Sequence, residues 1–278
     1  MSVPGCVFSS DLRAVVDDVL GGRAADDSDE LWSLVHELGW PGVGTPEDQG
    51  GAGGDLADAA ELAAGIGRHA APIPLMETAL AGWALAGAGA GAWTEIGDAR
   101  AAVVRAEAVS AEADGAGVRL CGAAPRVRWP EGLERAVLVL RDDTFTRLAV
   151  ADAAALLAEP LPSLADDPVV TLRLDGVRLP AGSVVTAPAG LAEQVRVRGD
   201  VLAAAALVGA MERACALAGE HVMSRHQFGQ PLAKLQAVRH LIADAAVERD
   251  IAAAAVAVAI ERPGAATAHA ARATAGRA

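Results

Sequence analysis

Two long apolar helical patterns, 200–225 and 235–261, meet at one punctuated turn, Ser224-Arg225-His226-Gln227-Phe228-Gly229-Gln230-Pro231-Leu232-Ala233-Lys234-Leu235-Gln236. Gly229 and Pro231 break the 3.6-residue periodicity between them, so the turn is a corner between two bundle helices. Small residues such as Ala206, Gly209, Ala210 and Ala214 let the first helix approach its neighbours closely. Leu235, Val238, Ile242 and Ala245 give the second an apolar stripe. The corner gathers Arg225, His226, Gln227 and Lys234, an unusual density for a chain so rich in alanine. A cation at Arg225 suits the negative end of the preceding helix, and its guanidinium can also fork onto a phosphate. Gln236 opens the next helix with an amide able to bond a phosphate, ribose or base edge. From the residues alone, a solvated helix–helix corner and an anion site both stand.

The rest of the chain narrows the class. A length of 278 residues holds one or two domains, and 53% apolar content excludes general disorder. Only 3% is aromatic and tyrosine is absent, which favours closely packed helices over a bulky core. Lys234 is the only lysine. A net charge of −13 argues against nucleic acid but leaves room for an anionic cofactor held by a few local arginines. Cys6, Cys121 and Cys215 are widely spaced and odd in number, so neither zinc nor a disulfide framework is indicated. The six histidines show no metal spacing and no Gly-x-Ser-x-Gly occurs. Unbroken apolar runs, 251–260 and 201–211, fall short of the roughly 20 residues a membrane span needs, so no membrane is expected. Reduced thiols and the lack of a signal peptide point to the cytoplasm.

In chain order, helices are predicted over 11–20 (capped by Ser10), along a stripe of Leu31, Leu34, Val35 and Leu38 stopped by Gly39, and over 55–67 and 74–86. The glycine-rich stretch 42–54 reads as a flexible loop without the Gly-Lys-Ser/Thr of a phosphate-gripping loop. Residues 87–92 match Gly-x-Gly-x-x-Ala, but a helix precedes them where a dinucleotide site needs a strand, so a helix exit is expected. Short β-branched runs at 101–104, 117–121, 135–140, 146–150 and 169–174, with turns such as Asp175-Gly176, read as an antiparallel sheet, a small barrel or sandwich. Helices return at about residue 192, and 265–278 reads as a last one. The fold class is α+β, with an N-terminal helical domain (1–97), a middle antiparallel β domain (98–190) and a C-terminal helical bundle (191–278).

Arg225-x-x-Phe228-Gly229, then Pro231-Leu232 and Gln236 before a helix continuing Ala237-Val238-Arg239-His240-Leu241, resembles the acyl-CoA dehydrogenase family. Pro46-Glu47-x-x-Gly50-Gly51-x-Gly53 and Asp175-Gly176-Val177-Arg178-Leu179-Pro180 resemble two further family segments. The resemblance spans the chain and is strongest in its last third. It implies a three-part helical, β, helical architecture. It also implies that Arg225 and Gln236 reach across a subunit interface to the FAD of a neighbouring chain, with Phe228 packing under the turn.

That family removes a proton α to a thioester carbonyl while a flavin takes a hydride from the β carbon, which needs a carboxylate base, bound FAD and donors to the carbonyl. The sequence departs at each point. Relative to the family the bundle is shortened, and the usual glutamate segment lies beyond residue 278. Asp200 is the acid nearest an alternative base position, beside Gly199, and reads as an N-cap or first-turn acid. Glu107, in Ala106-Glu107, is the best match to the family's Thr-Glu, with Thr94-Glu95 as a second; no Gly-Ser-Asp follows. The Gly-Lys-Lys-x-Trp-Ile-Thr segment is replaced by 122–128, with Trp129 out of register and Arg126 and Arg128 suited either to phosphate or to an exposed strand face.

An eroded own-flavin side beside an intact cross-subunit turn implies a subunit of a heteromeric acyl-CoA dehydrogenase. A second dehydrogenase-like chain would supply the base and most of the FAD pocket, and the acyl-CoA substrate would be bulky or steroid-derived. Two alternatives stay open: a self-sufficient enzyme using Asp200 or Glu107, and a non-catalytic scaffold of the same fold. In each case apolar bundle surface is expected to make the isolated chain oligomeric or poorly soluble.

Overall fold

The computed structural model describes residues 10–21, 28–89, 96–115, 117–128, 132–141, 146–163 and 168–278. N-terminal helices are followed by a middle sheet region and C-terminal helices, as expected. The chain forms two compact units. One comprises residues 1–31, 56–72 and 197–278, and the other residues 32–55 and 73–196.

The first unit is a helical bundle built from α1 (Ser10–Gly21), α3 (Leu56–His69), α5 (Leu191–Ser224, from residue 197 onward), α6 (Gln236–Glu261) and α7 (Ala265–Ala275). Glycine sets its helix crossings. A Cβ on Gly67 of α3 would overlap the Ala206 carbonyl of α5, and one on Gly209 would overlap the Ala64 carbonyl. A Cβ on Gly65 would run into Val16 of α1. Ala60, Ala63, Ala64, Val201, Ala204, Ala205 and Val208 are buried in this unit. Further along, Ala252, Val256 and Ala259 of α6 are buried where α7 packs on it through Ala268, Ala271 and Ala275. The alanine content of the chain thus serves close helix contact rather than propensity alone.

Helix α5 starts at Leu191, close to the expected return at about residue 192, and runs unbroken to Ser224, so Asp200 lies nine residues inside it and not at its start. Its most apolar 18-residue window has a mean hydropathy of 1.7, enough by length and composition to cross a membrane. The apolar run 201–211 is shorter than a span, but polar residues beyond it, Glu212 and Arg213 among them, interrupt the run without lowering the average much. The same composition serves a bundle helix, and Val201, Ala204, Ala205 and Val208 are fully buried within the unit.

In the second unit, the helix α2 (Ser28–Glu37, from residue 32 onward) is followed by a 3-10 turn at Trp40–Gly42, with Gly39 left-handed at φ 71°. The loop after it is ordered by its backbone, not flexible. Thr45 bridges Gly53, Gly44 N–H donates to the Gly53 carbonyl at 2.7 Å, and Ala52 N–H to the Gly42 carbonyl at 2.9 Å. The helix α4 (Leu75–Gly87) ends as a helix exit, with Gly89 at φ 72°; residues 90–95, including Thr94-Glu95, lie outside the described set.

Ten strands follow: β1 (Ala101–Ala106), β2 (Ser110–Asp114), β3 (Gly117–Cys121), β4 (Ala123–Arg128), β5 (Arg135–Arg141), β6 (Thr146–Asp152), β7 (Leu157–Leu161), β8 (Val169–Arg173), β9 (Arg178–Pro180) and β10 (Val184–Ala187). They pair as β1-β5-β6-β10, β2-β3-β9 and β4-β8-β7. All these pairs are antiparallel except β1–β5, which is parallel and corrects the expectation of a purely antiparallel domain. The strand β5 explains why it reads as a continuous apolar run. Ala136, Leu138 and Leu140 enter the sheet interior with Leu120, Leu172 and Leu174. Val137 and Val139 face the opposite way, onto Ala81, Ala84 and Leu85 of α4 and Leu191 and Val195 at the start of α5. A strand buried on both faces loses the alternation that marks a half-exposed one.

Candidate functional site: a hairpin corner and a sheet cleft

The corner between α5 and α6 is a miniature β-hairpin. Helix α5 closes at Ser224, whose Oγ donates to the Glu220 carbonyl at 2.9 Å. Arg225 N–H donates to the His221 carbonyl at 2.8 Å, and the Arg225 carbonyl accepts from Leu232 N–H at 2.9 Å. Inside that closure, β11 (His226–Gln227) pairs antiparallel with β12 (Gln230–Pro231). His226 Nδ1 donates to the Ser224 carbonyl at 3.0 Å. The two connecting residues, Phe228 and Gly229, have φ of 52° and 74°. Both are left-handed, the geometry of a two-residue type I′ turn. Glycine at 229 adopts it freely, whereas a bulky side chain at 228 carries a penalty of roughly 1–2 kcal/mol. A short 3-10 turn, Leu232–Lys234, leads into α6, which begins at Gln236 as predicted.

Arg225, Phe228 and Gln236 are all exposed. Among the described residues neither the Arg225 guanidinium nor the Gln236 amide has a side-chain partner. Phe228 is 86% exposed, so it does not pack under its own turn and does not fix the helix angle within this chain. The same is true of the helices on either side. No residue of α6 before Ala252 is buried, and Leu217, Met223, Leu241, Val247 and Ile251 are exposed. Leu235, Val238 and Ile242 are half-buried and Ala245 is exposed, so the expected stripe has no fully buried member. The corner therefore presents a cation, an amide and an aromatic ring on an apolar two-helix surface. That combination suits a ligand bearing both phosphate and a planar ring.

The weak catalytic candidates fare differently. Asp200 is neither N-cap nor first-turn acid: it lies in the third turn of α5 and is half-buried. Gly190, at φ 88°, stands just before Leu191, and Gly199 lies inside the helix. Glu107 sits in the turn between β1 and β2 and is exposed. It lines a cleft of about 400 Å³ with Ser110, Leu140, Arg141 and Arg147. Ser110, Arg141 and Arg147 were not singled out from sequence; the cations that flank the β5–β6 connection were the available signal. Arg128 is held by Glu77 at 2.6 Å, and Arg126 is exposed at a β-bulge with φ 55°. Trp129 lies outside the described residues. No group of three or more metal-ligating side chains occurs among the described residues.

Comparison with known proteins places this architecture. Residues 10–93 match the model for the acyl-CoA dehydrogenase N-terminal domain, and residues 198–277 that for the C-terminal domain. The acyl-CoA dehydrogenase IpdE2 of Mycobacterium tuberculosis is 33% identical over 248 residues, 87% of this chain and 67% of that protein. A variant of the Tcur3481–Tcur3483 steroid ACAD superposes with a TM-score of 0.81 at 25% identity, covering 95% of this chain and 81% of its own. The ChsE4–ChsE5 complex from Mycobacterium tuberculosis gives 0.81 at 22% identity, over 98% and 83%, and so shares the fold. These matches show that the chain belongs to the acyl-CoA dehydrogenase family, whose members are FAD-dependent.

Proposed function

We propose that this chain is one subunit of a two-chain acyl-CoA dehydrogenase, and that its α5–α6 corner holds the FAD of the partner chain. The observation that carries the reading is the corner itself. Arg225, Phe228 and Gln236 are exposed together and unpartnered among the described residues, on helices with an uncovered apolar surface. The group fits the residues present. The Arg225 guanidinium neutralises a phosphate and forks onto its oxygens. The Gln236 amide would add a directional bond, and the exposed Phe228 ring would offer apolar surface to the flavin or to the partner. Bound flavin would accept the hydride from the β carbon of the acyl thioester. This chain's part is to bind and orient that group and to exclude water from it. The base that takes the α proton comes from the partner.

On this chain's own side, the cleft of Glu107, Ser110, Arg141 and Arg147 offers cations to the phosphates of an acyl-CoA. The name of the Tcur3481–Tcur3483 steroid ACAD supports a two-chain assembly and a bulky, steroid-derived acyl group for this chain. A second reading rests on Glu107 itself: a carboxylate in a cleft could serve as the base of a self-sufficient enzyme. Flavin absorbance separates the two. Purified alone, the chain is expected to carry little flavin. Co-expressed with a second dehydrogenase-like chain, it is expected to co-purify as a yellow complex. Stoichiometric flavin and turnover in the isolated chain would overturn the heteromer. A colourless complex with every candidate partner would leave a scaffold.

A further inference from the structure

The first unit contains a cluster of charge that no part of the flavin site uses. On α3, Glu61, Gly65 and Arg68 fall at i, i+4 and i+7, on one face. Val16 of α1 packs directly on the Gly65 notch, and Glu61 is thereby sealed at 0% exposure. Arg68, with its side chain 9% exposed, reaches three carboxylates: Asp17 of α1 at 2.6 Å, Glu212 of α5 at 2.9 Å and Glu61 at 3.2 Å. Arg13 of α1 also holds Glu212, at 2.7 Å, and His69 Nε2 lies 2.8 Å from Asp17. These are the charged groups facing Glu61 from α1, α3 and α5 among the described residues.

Only one oxygen of Glu61 is engaged. Its Oε2 is buried and has no hydrogen-bond partner. A buried, unbonded carboxylate oxygen is far more costly as an anion than as a neutral acid. Burial accordingly raises the Glu61 pKa, against the opposing pull of Arg68 and Arg13. Burial also works against the Asp17 anion, but hydrogen bonds from His69 and Arg68 overcome it and hold that carboxyl below its ordinary value. The two acids are driven apart: Asp17 is favoured as the anion, and Glu61 takes up a proton more readily than an ordinary glutamate.

We propose that Glu61 is a proton-operated latch on the N-terminal helix, neutral when α1 is seated and, when ionised, competing with Asp17 for the Arg68 guanidinium and loosening α1. The direction follows from linkage. A carboxyl whose pKa is raised in the folded state stabilises that state at acid pH and loses the effect as pH rises from the ordinary glutamate value toward the raised one. The helix α1 should therefore open more readily as pH increases above about 4.5.

The test is amide hydrogen exchange of the full chain, read at Val16 and Leu20 as protection factors corrected for intrinsic rate. For the wild type, the opening equilibrium of α1 should grow with pH by up to about tenfold per unit within that window. Glu61→Gln is neutral at every pH and keeps the Arg68 acceptor, so it should remove that dependence and leave α1 better protected at neutral pH. The same pH dependence in both proteins would overturn the latch. If Glu61→Gln fails to fold, the carbon-13 shift of the Glu61 carboxyl in the wild type decides. Titration above the ordinary glutamate range supports the latch, and titration at or below it refutes it.

Discussion

The hairpin corner combines two features that stability alone would not favour, a left-handed Phe228 and an 86% exposed aromatic ring. Replacing Phe228 with Asn separates structural from functional cost. Asn tolerates positive φ and, followed by Gly229, makes the strongest short hairpin sequence. Relief of a penalty of roughly 1–2 kcal/mol is partly offset because Asn is not as free as glycine. At 86% exposure the ring contributes almost no burial in the isolated chain. Phe228→Asn should therefore raise the stability of the isolated chain by about 0.5–1 kcal/mol. The assembled enzyme should respond in the opposite sense. An aromatic anchor at an interface is typically worth about 2 kcal/mol or more, so the complex should lose flavin or partner affinity by at least tenfold. Urea unfolding of the isolated chain and flavin retention of the complex read the two effects. If Phe228→Asn destabilises the isolated chain by more than about 1 kcal/mol, the ring is packed within its own subunit and the reasoning fails.

Other perturbations test neighbouring parts of the account. Gly67→Ala should cost about 1–2 kcal/mol in urea unfolding despite better helix propensity, because the new methyl meets the Ala206 carbonyl; a neutral or stabilising result would contradict the crossing. Arg68→Met leaves the buried Glu61 without a cation, while Asp17 keeps His69 and Glu212 keeps Arg13, and should cost about 3 kcal/mol, the low end for breaking a buried pair. Asp17 has a lowered pKa, so its stabilisation is present above the ordinary aspartate value and lost as pH falls through the folded one. Asp17→Asn should accordingly flatten the acid limb of stability below about pH 4. Glu107→Gln should leave turnover of the assembled enzyme within about tenfold, since a general base is worth ~10²–10⁴; a larger loss at unchanged flavin content would make Glu107 the base.

Much of the fold was legible because its signals are local. The Gly229/Pro231 break, the Gly39 stop and the Asp175-Gly176 turn each act on their own residues, and each stands where the sequence put it. The return of helix at about residue 192 was legible, one residue from the observed Leu191, but that the helix runs unbroken through Arg198 and Gly199 into the apolar pattern was not, because a glycine beside charged residues reads as a boundary. Strands β2, β4, β7, β9 and β10 escaped notice for another reason. All are short, and the first four carry Ala, Glu, Arg or Pro, so their conformation comes from pairing and not from propensity; β10, Val-Val-Thr-Ala, has the propensity but only four residues. The corner residues could be named from the motif, but the exposure of Phe228 could not. Whether a ring packs inward or waits for a partner depends on which helix faces the chain leaves uncovered. The same limit hid the latch: Glu61 reads as an ordinary helix acid until the Gly65 notch brings α1 down on it.

The most direct measurement of the central claim is flavin per complex after gel filtration, for wild type, Arg225→Ala and Arg225→Lys. A charge-assisted bond is worth ~1.5–3 kcal/mol, or roughly ten- to a hundredfold in flavin affinity. Arg225→Ala should therefore lower flavin occupancy while the two chains still elute together, because the helix surfaces and not the guanidinium hold them. Arg225→Lys should restore only part, since an ammonium lacks the planar fork. Full occupancy in Arg225→Ala would contradict the account and return the corner to a structural turn.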